Sequence, residues 1–95
     1  MFPVIWNNWY GRKQERSLCF NLNNYQRKLD GDVRATHNYA DVERVEWSEA
    51  GQLVVHLKSG VQEHYHSTHK IKEIVAAFQR HCHVQQLPAP KAAST

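Results

Sequence analysis

The chain has 95 residues, 41% of them hydrophobic and 11% aromatic, and a formal charge of +3. That is enough sequence for one domain, which at this size buries roughly 60–70% of its unfolded surface, and it is too apolar to stay disordered. No apolar run approaches the ~20 residues of a spanning helix, Met1 to Trp6 is too short for a secretory signal and lacks its basic start, and Cys19 and Cys82 make no disulfide framework, so both are expected as free thiols in a reducing compartment.

In chain order, Val4 to Tyr10 reads as a first strand interrupted by Asn7-Asn8, a bulge or a turn, and Gly11 to Glu15 as a loop. Arg16 to Leu22 alternates, with Leu18, Phe20 and Leu22 on one face and Ser17, Cys19 and Asn21 on the other, the pattern of a half-buried strand. Asn23-Asn24 reads as a turn and Tyr25 to Leu29 as a short strand. Asp30-Gly31 is a hairpin signal, and Asp32 to Tyr39 is a weaker strand carried by Val33, Thr36 and Tyr39. Asp41 to Ser48 follows, with Val45 and Trp47 sharing a face. Glu49-Ala50-Gly51 suits a three-residue hairpin loop with a left-handed glycine, leading into Gln52 to Leu57. That register sets Trp47 opposite Leu53 and Val45 opposite Val55, so two apolar faces match. Lys58-Ser59-Gly60 repeats the device before Val61 to His66, with Leu57 facing Val61 and Leu53 facing Tyr65. The same register turns Glu63 inward beside Val55, where a carboxylate needs a rim position or a partner.

The last segment has a different period. Ile71, Ile74, Val75, Phe78 and Cys82 share one face of a helix over Thr68 to His83, while Lys70, Lys72, Glu73, Gln79 and Arg80 lie on the other. Ser67 or Thr68 is the expected N-cap, and Pro88 and Pro90 bar continuation. The whole predicts a mainly β fold of seven short strands, an antiparallel sandwich or barrel capped by one C-terminal helix. Residues 1–84 form the predicted domain and 85–95 a flexible tail.

This order of elements resembles the pleckstrin-homology (PH) superfold, within it the branch that holds the tail-homology region of class I myosins and the GRAM-type domains. The resemblance rests on Gly11 to Leu22 as first loop and second strand, on Tyr39 to Trp47 as the approach to the fifth strand, and on Leu53 to Gly60 with the helix from His69. It covers most of residues 4–83. It implies a seven-stranded PH-like barrel and a cytoplasmic binding module that is no enzyme, uses no cofactor and sits peripherally at a membrane. Phe78 stands where PH domains proper usually have a helix Trp, and Gln14 where a basic residue would complete the basic-x-Arg motif of phosphoinositide-binding members.

The chemistry-bearing residues give two readings. Arg12, Lys13 and Arg16 lie within five residues of each other, flanked by Arg27 and Lys28, and converging cations bind phosphate groups. The first reading is therefore recognition of a phosphoinositide or other anionic phospholipid headgroup, with Trp9 and Tyr10 as membrane or partner contacts. The alternative is a protein–protein module that takes a peptide between the fifth strand and the helix, along Val42, Arg44 and Ile71, by strand addition, as PH-like domains can. Asp41, Glu43, Glu46 and Glu49 lie beside that groove and suit a basic peptide. His64 and His66 share a strand face, but zinc needs three or four converging ligands, and no metal is expected. Several imidazoles near neutrality predict stronger anion binding at lower pH. No phosphate loop or nucleophile motif is present, and rings pointing inward do not suit nucleic-acid stacking.

Overall fold

A computed structural model describes residues 1–8 and 10–87. Eight strands form one sheet: β1 (Phe2–Asn7), β2 (Lys13–Phe20), β3 (Asn24–Leu29), β4 (Asp32–Asn38), β5 (Val42–Trp47), β6 (Gln52–Leu57), β7 (Gln62–His66) and β8 (Val84–Gln86). One helix, α1 (Ile71–Gln79), stands between β7 and β8. The strand order is β4-β3-β2-β1-β7-β6-β5-β8. Every pairing is antiparallel except β5 with β8.

Two features correct the expected barrel. Among the described residues there are eight strands rather than seven, and the sheet stays open, with β4 and β8 as its unpaired ends. The extra strand is three residues with one aliphatic side chain, too short to leave a periodic signal. Gln85 and Gln86, assigned from sequence to the tail, pair with Glu46 and Trp47 of β5. Leu87 follows them, and residues 88–95 of that tail lie outside the described residues.

The open sheet is strongly curled. Strands lie about 4.8 Å apart, so β3 and β7, with β2 and β1 between them, would stand roughly 14 Å apart in a flat sheet. Arg27 of β3 and Glu63 of β7 nevertheless form an ion pair. The concave face carries the core: Val4, Leu18, Tyr25, Val45, Leu53, Val55 and Tyr65 are all buried. The hairpin registers are those the sequence implies, with Val45 opposite Val55, Trp47 opposite Leu53, Leu53 opposite Tyr65 and Val55 opposite Glu63.

Helix α1 closes part of the concave face with Ile71, Ile74, Val75 and Phe78, the stripe its spacing predicts. Phe78 meets Phe20 and Tyr25 edge-on, with ring centres 4.8 and 5.1 Å apart. The helix is shorter than expected at both ends. Ser67 Oγ accepts from the Lys70 N–H at 3.1 Å, so Ser67 shapes the turn before the helix and is not its N-cap. At the other end His81 and Cys82 both donate to the Phe78 carbonyl, which turns the chain toward the edge of β5.

Candidate functional site

The β1–β2 connection is a tight turn built around Asn8. Its Oδ1 accepts from the N–H groups of Tyr10 and Arg12, both at 3.0 Å. Its backbone donates to the Arg12 carbonyl at 2.9 Å and accepts from Gly11 at 2.8 Å. Gly11 has φ of +83°, a conformation that suits glycine. The turn holds Tyr10, 70% exposed, beside exposed Arg12 and Lys13. Neither cation forms an ion pair among the described residues. Trp9 lies outside the described residues.

A polar seam runs inward from this turn. Asn8 Nδ2 reaches Gln14 Oε1 at 3.5 Å, and Arg16 donates to the same oxygen at 3.2 Å. The guanidinium of Arg16 sits 5.4 Å from the centre of the Trp6 ring, and that of Arg27 only 3.7 Å from it. Arg27 is 9% exposed and pairs with Glu63, which also accepts from Tyr65 Oη at 3.2 Å. His37 Nε2 is 3.7 Å from the same carboxylate, too far for a hydrogen bond but within ion-pair range. Burial alone would raise the Glu63 carboxyl, but His37 and Arg27 outweigh it and hold it below the usual carboxylate range. Burial keeps the Tyr25 and Tyr65 phenols far above the usual tyrosine range, so both stay neutral.

The five basic residues therefore do not converge on one point, though Arg16 and Lys28 line one groove. Arg12 and Lys13 share the turn. Arg16 is half-buried, with its Nε buried and unpaired, and Arg27 is spent on Glu63. Lys28 pairs with Ser17 in register, on the opposite face of the sheet from Arg27. There it lines a shallow groove of about 540 Å³ with Arg16, Asp30, His66 and Lys70. A second groove of about 480 Å³ shares Ile5 and His66 with the first and reaches Lys13 and His64. His64 and His66 share this outer face of β7, as alternation predicts.

The groove residues differ from the sequence reading as well. Val42 and Ile71 are core, 7% and 5% exposed. Arg44 pairs with Glu43 and Glu46 at 3.1 and 3.3 Å, and Glu46 also meets His56 at 2.7 Å. The hydrogen bonds from His56 and Arg44 pull the Glu46 carboxyl below its usual range. The edge of β5 at Val45 to Trp47 is filled by β8: Val45 donates to the His83 carbonyl at 2.8 Å, and Leu87 to the Trp47 carbonyl at 2.6 Å.

Sequence reasoning allowed a bulge or a turn at Asn7-Asn8 but did not find that the Asn8 side chain holds that turn together. It also missed the Arg27–Glu63 pairing, for which the inward register of Glu63 was the only signal. Comparison of the chain with protein-family models and with curated protein sequences gave no match.

Proposed function

We propose that this chain is a non-enzymatic, PH-like binding module that meets acidic headgroups through its β1–β2 turn. The observation that carries this reading is the Asn8-locked turn, which presents an exposed Tyr10 beside Arg12 and Lys13. An amphipathic ring suits the interface of a bilayer, and cations beside it suit its anionic surface. The PH-like part of the reading is supported by the chain order: a four-strand meander, three more strands returning to pair with β1, then a helix. The open sheet and β8 depart from that pattern.

Two exposed cations contribute about 1 kcal/mol each near an anionic leaflet, so a single copy binds weakly and sensitively to salt. Vesicle co-sedimentation with and without phosphatidylserine or a phosphoinositide tests this. Arg12→Glu/Lys13→Glu is expected to abolish binding and Lys28→Glu to leave most of it. Equal binding of wild type and the double variant would remove the turn from the proposal.

A further inference from the structure

The chain covers the β5 edge of the sheet with its own β8, but among the described residues nothing pairs with β4 on the side away from β3. β4 is seven residues long and holds neither lysine nor proline, the residues that commonly blunt an exposed edge. Its one guard is a bulge: Ala35 opposes Arg27 and Val33 opposes Lys28, so Arg34 is left out of the ladder. From Ala35 onward the strand is regular. The Tyr39 N–H donates to the Asn23 carbonyl, and bonded pairs of an antiparallel ladder recur at every second residue. His37 and Ala35 therefore bond toward β3 as well. The N–H and C=O of Thr36 and the N–H of Asn38 point the other way, and among the described residues these three groups have no hydrogen-bond partner. The Thr36 hydroxyl is held on the outer face, where it accepts from Gln26 at 3.4 Å.

We infer that β4 pairs with the β4 of a second copy of this chain, antiparallel about a two-fold axis at Thr36, so that two sheets become one. In this register the strand is its own complement. Thr36 faces Thr36 and exchanges two backbone bonds with it. Ala35 faces His37, a small side chain beside a ring. Arg34 faces Asn38, so no like charges meet, and each Asn38 N–H points at the carbonyl of the residue the bulge leaves out. A two-fold at His37 would instead set imidazole against imidazole. Five paired residues make a contact about 17 Å long and 10 Å deep, far below the roughly 1,200 Å² that a stable complex buries. The dimer is therefore weak and forms only at high concentration. The inference is independent of the headgroup reading, because it uses none of its residues and no membrane.

Two measurements on the full chain test it. In sedimentation equilibrium the average mass is expected to rise from monomer toward dimer between about 10 µM and about 1 mM, the range of a contact this small. Thr36→Lys sets two lysines face to face and is expected to dimerise at least ~10-fold more weakly. Thr68→Lys adds the same charge at an exposed position off the edge and is expected to dimerise like wild type. A wild type that stays monomeric over this range, or a folded Thr36→Lys that dimerises like Thr68→Lys, would overturn the inference. The second measurement reads the register, in a Cys19→Ser/Cys82→Ser background. Thr36→Cys brings two Cα atoms to about 5.5 Å, within reach of a disulfide, whereas Asp32→Cys leaves them roughly 27 Å apart. The thiol oxidant diamide is expected to link the first variant into a dimer and not the second. Equal linking of the two, or none in either, would overturn the two-fold at Thr36. If the Thr36 variants do not fold, the mass of the wild type decides alone.

Discussion

Replacing Glu63 with glutamine tests the seam most directly. The side chains of Arg27 and Glu63 are only 11% and 13% exposed, so neither charge has ample water to fall back on. Glutamine keeps the shape of Glu63 and an acceptor for Tyr65, but leaves the Arg27 guanidinium as a lone charge between Trp6 and the core. Breaking one side of a buried pair costs about 3–5 kcal/mol. Taking about 3 kcal/mol, because Trp6 still faces the guanidinium, the melting temperature should fall by roughly 12–24 °C in a domain of this size. Removing both charges in Arg27→Met/Glu63→Leu should cost far less than the two single changes added, since a buried pair replaced by apolar groups is often neutral. Urea unfolding at pH 7, followed by tryptophan fluorescence, gives all four corners of the cycle. A Glu63→Gln cost below about 1 kcal/mol, the range of a solvent-exposed pair, would mean that Glu63 does not face inward and that the curl deduced from its contact with Arg27 is wrong.

Other changes probe separate parts. Because the Glu63 carboxyl is held below its ordinary range in the fold, its contribution is present above the unfolded value and is lost as pH falls through the folded one. An acid titration of stability should therefore be flatter for Glu63→Gln than for wild type below the usual carboxylate range, and matching curves would contradict this. Gly51 has φ of +104°, and a Cβ there would lie 2.6 Å from the Ser67 carbonyl oxygen, so Gly51→Ala should cost about 2–3 kcal/mol in urea unfolding. Gly31, also at positive φ but with nothing within 4 Å of its Cβ, should lose less on the same change. Phe78→Ala removes the ring that meets Phe20 and Tyr25 and should cost about 3–5 kcal/mol, with loss of the near-ultraviolet signal.

Much of the fold was legible because its signals are local. Gly51 and Gly60 have positive φ and sit in the hairpin turns they mark, and the alternation of Val45, Trp47, Leu53 and Val55 sets a register that the ladder reproduces. The helix stripe was legible for the same reason. Helix ends were not, because Ser67 caps a turn and not the helix, a choice made by the path of the chain from β7. Strand β8 was not legible either, since nothing in Val84-Gln85-Gln86 distinguishes a strand from a tail until the free edge of β5 is placed beside it. At the candidate site the composition of the basic cluster was readable, but its division was not. Which face each residue takes follows from strand parity. Whether Arg27 meets Glu63 depends on the curl, which brings β3 to β7 across two intervening strands.

That division bears on what the charge of the protein can do. A net charge of +3 suggests a surface attractive to anions. Yet Arg27 neutralises a buried carboxylate, and Arg44 sits between Glu43 and Glu46. Lys70 and Lys72 face Glu73 and Glu49. The cations left without an ion pair in the β1–β2 turn are Arg12 and Lys13; Asn8 fixes the backbone of Arg12, and Lys13 follows it in register with Asn7. The charge that this turn offers a partner is thus two cations beside a fixed backbone. Recognition by so few cations depends on geometry more than on field strength. Loosening the turn with Asn8→Ala should then weaken vesicle binding although it removes no charge. Binding that follows charge alone, unchanged by Asn8→Ala and restored by adding lysines elsewhere on the surface, would show that the turn is only a carrier of two cations.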